Sequence, residues 1–177
     1  MSVRAIVLAA GKGTRMKSDR SKVVFPVAGA PLVSWVVSAV LDAGADEVVV
    51  VVGHGAADVE AVLPDGVVTV VQDQQLGTAH AATTALAAIG DVSDDTVLIV
   101  PGDSPLLTAA TLEQLLAEHA GGESRCTLLT AILEDPTGYG RVIRVGDRVR
   151  AIVEERDADD AQCEIDEVAV STYVFEG

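Results

Sequence analysis

A chain of 177 residues and 18.2 kDa is one domain long, and 49% apolar with 22% charged residues is a globular composition that excludes wholesale disorder. Twenty-seven acidic against twelve basic residues, net −15, put a field around the protein that repels nucleic-acid phosphates, so no nucleic-acid partner is expected. No apolar run approaches the roughly 20 residues of a membrane helix, no secretory leader is recognisable, and Cys126 and Cys163 make neither a metal spacing nor a disulfide framework, which together point to a cytoplasmic protein without a membrane partner. In chain order, Val3 to Leu8 reads as a β-strand followed by a glycine-rich loop, and Pro31 to Ala43 as a helix with Pro31 near its first turn. Glu47 to Val52 is a buried strand, Ala57 to Leu63 a short helix closed by the turn Pro64-Asp65-Gly66, and Val67 to Val71 the next strand. Thr78 to Ile89 is an alanine-rich helix, Thr96 to Val100 a strand, and Thr108 to His119 a helix capped by Thr108.

Beyond Arg125 the alternation stops. Thr127 to Leu133, Arg141 to Val145, Val149 to Glu154 and Val168 to Phe175 read as strands, with Gly146-Asp147 as a hairpin turn and the acidic run Asp157 to Asp160 as a solvated loop. The order predicts an α/β fold, a Rossmann-like, mainly parallel sheet with helices on both faces and a mostly β C-terminal part. It is expected to form one domain, with a nucleotide part over 1–120 and a β-rich part over 121–177.

In such a sheet, ligands bind outside the carboxyl ends of the strands, and four polar clusters follow strand ends here. Leu8-Ala9-Ala10-Gly11-Lys12-Gly13-Thr14-Arg15-Met16 lets backbone approach a phosphate closely, yet it is neither a P-loop nor the dinucleotide fingerprint. Arg4, Lys12, Arg15, Lys17, Arg20 and Lys22 fall within the first 22 residues against a single acid, Asp19, and the next base is Arg125. Cations so concentrated beside small residues suit a small, highly charged anion. Gln72-Asp73-Gln74-Gln75-Leu76-Gly77-Thr78-Ala79-His80 supplies amides able to read a base edge and a close backbone approach at Gly77-Thr78. Pro101-Gly102-Asp103-Ser104 holds a carboxylate on a turn, suited to Mg²⁺ shared with phosphate oxygens. Pro136-Thr137-Gly138-Tyr139-Gly140-Arg141, leading to Glu154-Glu155, suggests a pocket loop with a carboxylate for hydroxyl groups. His54, His80 and His119 are too scattered for a metal site and read as structural or exposed.

Taken together and in this order, the motifs resemble the sugar-1-phosphate nucleotidylyltransferases, and among them the N-acetylglucosamine-1-phosphate uridylyltransferase domains of bacterial bifunctional enzymes. The resemblance implies a nucleotide-diphospho-sugar transferase type of fold and transfer of UMP from UTP to N-acetylglucosamine 1-phosphate, with Mg²⁺ as cofactor, in cell-wall precursor synthesis. Carried over residue by residue, it implies catalytic cations at Arg15 and Lys22 and a nucleotide site at Leu8, Ala9, Ala10, Gly11, Lys12, Gly13, Lys22, Gln72, Gln75, Gly77 and Thr78. It further implies a sugar side at Gly102, Asp103, Gly140, Glu154 and Ala169, with Asp103 as metal ligand, and it admits an oligomer for the full-length family.

Three positions depart from the family pattern: Ser21 replaces a proline, Ala169 the asparagine that contacts the sugar, and Ser171 a glycine. The family continues with more helices, a second metal ligand and a β-helix acetyltransferase domain, so acetyl transfer is not expected of these residues. Alternatives are a nucleotide-binding module without turnover, transfer to another sugar phosphate, and guanylyl transfer to a molybdenum cofactor, which the length suits and the glutamine motif does not.

Overall fold

The structure, a computed structural model, describes residues 2–11, 13, 16, 18 and 20–177. The chain divides into two compact units, one of residues 1–127 with 173–177 and one of residues 128–172. The first is built on parallel strands β1 (Val3–Leu8), β4 (Glu47–Val52), β5 (Val68–Val71) and β6 (Thr96–Pro101), in spatial order β5-β4-β1-β6. Residues Tyr173 to Glu176 of β10 (Glu167–Glu176) run antiparallel beside β6. A two-strand hairpin, β2 (Pro26–Val27) and β3 (Ala30–Pro31), leads into α1 (Leu32–Asp42).

Side chains alternate across this sheet with a period of two, and the register makes each face continuous. Ile6 pairs with Val49 and Ile99, so these residues share a face, together with Val51 and Val97. That face packs on Ala81, Ala82 and Ala85 of α3 (Thr78–Ile89), small side chains that let the helix approach closely. Ala5, Val7, Val48, Val50, Leu98 and Val100 point the other way and are equally buried. On that side lies α1, with buried Val33, Val36, Val37 and Val40, and α4 (Ala109–Gly121) packs on α1 and buries Leu112 and Leu115. The valine-rich strands are thus covered on both faces, as expected of parallel sheets.

Thr108 caps α4 by accepting the Thr111 N–H at 3.2 Å. Pro31 is the N-cap of α1, near its first turn as expected. The short helix after β4 is α2 (Ala56–Glu60), ending earlier than the expected Leu63, because residues 61–63 turn toward Pro64.

The second unit holds most of β7 (Cys126–Ile132), then β8 (Arg141–Val145), β9 (Arg148–Val153), α5 (Asp160–Cys163) and the first part of β10. β8 and β9 form the expected antiparallel hairpin around Gly146-Asp147, with a register shift between Ile143 and Arg144. The run 157–160 is not simply a solvated loop. Glu155–Asp157 form a 3₁₀ turn, and Asp159 caps α5 through a reciprocal capping box with Gln162. The side-chain oxygen of Asp159 accepts the Gln162 N–H at 2.8 Å while Gln162 accepts the Asp159 N–H at 3.0 Å, and these paired bonds offset the local charge repulsion.

Candidate functional site

The strand order β5-β4-β1-β6 reverses direction at β1, so the carboxyl ends of β1 and β6 flank the topological switch point. The register places Leu8 opposite Pro101, and the residues that follow leave the sheet side by side. Gly102 N–H donates to Leu8 O at 2.9 Å and Ala9 N–H to Val51 O at 2.8 Å, so the loop after β1 is tied to both neighbouring strands. Two glycines make room for it. A Cβ at Gly53, just after β4, would stand 2.8 Å from Ala10 O, and one at Gly102 would stand 3.0 Å from Leu8 O. Ala9 and Ala10 are buried in the resulting slot, and Gly11 emerges exposed.

Lys22 opens a 3₁₀ turn, Lys22–Val24, whose Val23 and Val24 are buried and fix its position. The Lys22 stem runs along the glycine loop: a Cβ at Gly13 would fall 2.6 Å from Lys22 Cβ, and one at Gly11 would fall 3.6 Å from Lys22 Cε. Its Nζ donates to Asp103 Oδ2, with both side chains 34% exposed. A cation, a carboxylate and the glycine loop therefore meet at one point, within the first unit. Lys12 and Arg15 lie outside the described residues.

The glutamine cluster closes the other side of the loop. Gln75 Nε2 donates to Ala10 O. Gln72 is only 5% exposed, and its Nε2 donates to Gly77 O at 3.4 Å and meets His80 Nδ1 at 2.8 Å. An amide nitrogen only donates, so His80 Nδ1 is the acceptor and its ring proton sits on Nε2. With both Nε2 hydrogens engaged, Gln72 has its Oε1 to offer a ligand. Gly77 (φ +99°) precedes Thr78, the first residue of α3, whose N–H end favours negative charge. The role of His80 as the brace of Gln72 has no sequence signal, because seven residues of loop and helix lie between the two.

The remaining expected residues lie in the second unit, where the structure brings them together. A Cβ at Gly140 would lie 2.9 Å from Ile152 Cγ2 and 3.6 Å from Glu154 Oε1, and Ala169 N–H donates to Gly140 O at 2.9 Å. Beside them is Arg141, which closes the fourth cluster in the sequence but to which the sequence assigns no role, with a side chain 3% exposed. Its Nη1 donates to Tyr139 O and its Nη2 to Glu155 Oε2 at 3.1 Å. Glu155 Oε2 also accepts the Gly138 N–H. That N–H first, and the Arg141 guanidinium second, hold the Glu155 carboxyl below the usual range.

Among the described residues no three His, Cys, Asp or Glu side chains cluster as a protein-only metal cage. Magnesium typically needs only one or two carboxylates beside substrate phosphates. The hard oxygens of Asp103, on a partly exposed turn facing the glycine loop, fit that requirement.

Residues 5–163 match the MobA-like NTP transferase domain. A curated relative from Exiguobacterium sp., named bifunctional protein GlmU, is 49% identical over 173 residues, 97% of this chain and 38% of its own length. The protein of the same name from Bacillus subtilis is 47% identical over the same share of each. The chain thus spans less than two-fifths of the length of these relatives. In fold, it is similar to a UTP-bound UGPase from Acinetobacter baumannii, with a TM-score of 0.75 at 18% identity over 99% of this chain and 74% of that one.

Proposed function

The chain belongs to the MobA-like NTP transferase family, and from that premise we propose that it transfers UMP from UTP to N-acetylglucosamine 1-phosphate, giving UDP-N-acetylglucosamine and pyrophosphate. The observation that carries this reading is the meeting of Lys22, Asp103 and the glycine loop at the switch point between β1 and β6. The identity to proteins named bifunctional GlmU supports the choice of nucleotide and sugar.

The chemistry is an in-line displacement at the α-phosphorus: a sugar phosphate oxygen forms the new P–O bond while the bond to pyrophosphate breaks. The attacking phosphate is already ionised, so no general base is needed. The protein's task is to hold two polyanions together and to oppose the charge that builds on the leaving group. Backbone N–H groups of the loop after β1 hold the triphosphate. Lys22 turns from Asp103 toward the α-phosphate, and Arg15 serves the leaving phosphates. Each such contact contributes ~3 kcal/mol to the transition state by the measure of a single oxyanion-hole donor. Asp103 holds Mg²⁺, which supplies countercharge to the phosphate oxygens when bound. Gln72 Oε1 and Gln75 read the uracil edge, and Glu154 with the Gly140 backbone accepts the sugar hydroxyls.

A second acceptor is favoured by one residue: the Ala169 methyl cannot hydrogen-bond an N-acetyl group or a hydroxyl, so another sugar 1-phosphate fits equally on that side. Pyrophosphate release from UTP with Mg²⁺ and a panel of sugar 1-phosphates tests both. Release with N-acetylglucosamine 1-phosphate is the expected result, and release with a different sugar alone reassigns the acceptor. No release with any of them, while UTP still raises the melting temperature, would reduce the chain to a nucleotide-binding module.

A further inference from the structure

In the second unit, the segment Gly138-Tyr139-Gly140 is packed at Gly140, which is buried against Ile152, but has little packing at its other two residues. A Cβ at Gly138 would meet nothing within 4 Å, and Tyr139 is 47% exposed. Its backbone is nonetheless held at three successive residues. Gly138 N–H donates to Glu155, Tyr139 C=O accepts from Arg141, and Gly140 C=O accepts from Ala169 N–H. Two of these three anchors belong to one ion pair, because Arg141 Nη2 and Glu155 Oε2 are themselves bonded.

We propose that the Arg141–Glu155 pair is a positioning device that sets the Gly138-Tyr139-Gly140 loop and Glu154 to receive the sugar phosphate. Burial of the Arg141 guanidinium gives the pair its leverage. The side chain rides on β8 with Val153 of β9 and Val168 of β10 as register partners, and its Nε makes no hydrogen bond among the described residues. A buried charge so poorly served by its surroundings depends on its two remaining contacts, and both pull on the loop. Glu155 follows Glu154 directly and opens the 3₁₀ turn after β9, so the pair also fixes the backbone from which Glu154 reaches toward Gly140. Neither Arg141 nor Glu155 need touch the ligand.

This inference rests on the reading of a sugar 1-phosphate as acceptor, and the experiment separates the two. Dissociation constants for UTP and for N-acetylglucosamine 1-phosphate are measured by calorimetry on the whole chain and on Glu155→Gln, Arg141→Lys and the double variant, together with kcat/KM for each substrate. Both single variants are expected to weaken sugar phosphate binding at least about tenfold, the scale of an ångström-level misplacement, with UTP affinity within about twofold of the parent. The double variant should be no worse than the poorer single one, because either change alone dissolves the pair. Unchanged sugar phosphate affinity, or equal losses for both ligands, would overturn the positioning role and leave the pair as ordinary structural support. A parent chain that binds UTP but no sugar 1-phosphate would bring down the underlying reading, and the positioning role with it.

Discussion

Replacing Asp103 with asparagine separates the chemistry of the site from its architecture. The two side chains are nearly isosteric, and an asparagine oxygen still accepts from Lys22 Nζ, so only the negative charge is lost. Both partners of the Lys22–Asp103 pair are 34% exposed. Solvent screens such a pair to a worth of ~0.2–1 kcal/mol, so Asp103→Asn should lower the melting temperature by no more than about 4 °C in a domain of this size. Turnover should respond far more. Loss of one charge-stabilising contact costs ~3 kcal/mol in the transition state, a fall of about 150-fold in kcat at saturating Mg²⁺. Without Mg²⁺, UTP should protect the variant at least as well as the parent, because a repelling carboxylate has gone. Pyrophosphate release and thermal melts with and without UTP make the comparison. Turnover within threefold of the parent would refute Asp103 as the metal's protein ligand, and global unfolding would show that its role is structural.

Three further predictions follow from backbone geometry and charge. Ser171 has φ +58°, a left-handed conformation that costs a side chain ~1–2 kcal/mol, of which the greater freedom of glycine in the unfolded chain takes back ~0.4–1 kcal/mol. Ser171→Gly should therefore stabilise the protein by about 0.5–1 kcal/mol in urea denaturation, and a loss of stability would contradict the strain. Gly53→Ala places a methyl 2.8 Å from Ala10 O, a backbone atom with no room to yield. Overpacking of about 1–3 kcal/mol is expected, along with weaker UTP binding by calorimetry, and unaltered UTP affinity would show that the slot does not shape the nucleotide loop. Glu167 accepts two bonds of 2.7 Å from Arg144, and these hydrogen bonds foremost hold its carboxyl below the ordinary value of 4.5. The unfolded chain then takes up the proton more readily than the folded one. The stabilisation is complete above that ordinary value and is lost as the pH falls through and below it. Melting temperatures between pH 7 and pH 3 should fall less steeply in Glu167→Gln, and parallel curves would remove Glu167 from the acid response.

Much of the architecture is legible in the sequence wherever an element is long and bounded by a residue with one meaning. Val3 to Leu8 and Glu47 to Val52 are β-branched or apolar runs that stop at small residues or glycine, and Thr78 to Ile89 is bracketed by Gly77 and Gly90; the structure has these three elements with the same bounds. Short elements are not legible in this way. The turn Lys22–Val24 and the two-residue strands β2 and β3 are shorter than any hydrophobic period, and α5 lies in an acidic run whose composition outweighs the Asp159-x-x-Gln162 cap within it. At the site, the glycine loop and Asp103 are legible because strand ends are where ligands bind. Their nearness is not, since it depends on the β1–β6 pairing, which joins residues some ninety positions apart. Arg141 illustrates the same limit: in sequence it is one more arginine at the start of a strand, and only the pairing of β8 with β9 and β10 buries it.

The three departures from the family pattern differ in what they change. At Ser21 a hydroxyl stands buried without a hydrogen-bond partner among the described residues, yet the turn beyond it still carries Lys22 to Asp103, because buried Val23 and Val24 fix that turn. At Ser171 a side chain adopts the conformation for which glycine is suited, so the backbone path is kept against strain. In both cases tertiary packing dictates the local geometry, and the substitution is absorbed as a modest loss of stability. Ala169 is different. Its backbone N–H still serves Gly140, so the fold loses nothing, but the family's contact to the sugar is made by the side chain, and a methyl has no donor or acceptor to replace it. On the proposed function, its consequence falls on acceptor specificity rather than on stability. Ala169→Asn should shift preference among sugar 1-phosphates with the melting temperature nearly unchanged. A panel of acceptors assayed on parent and variant checks this, and identical preferences would show that position 169 plays no part in choosing the sugar.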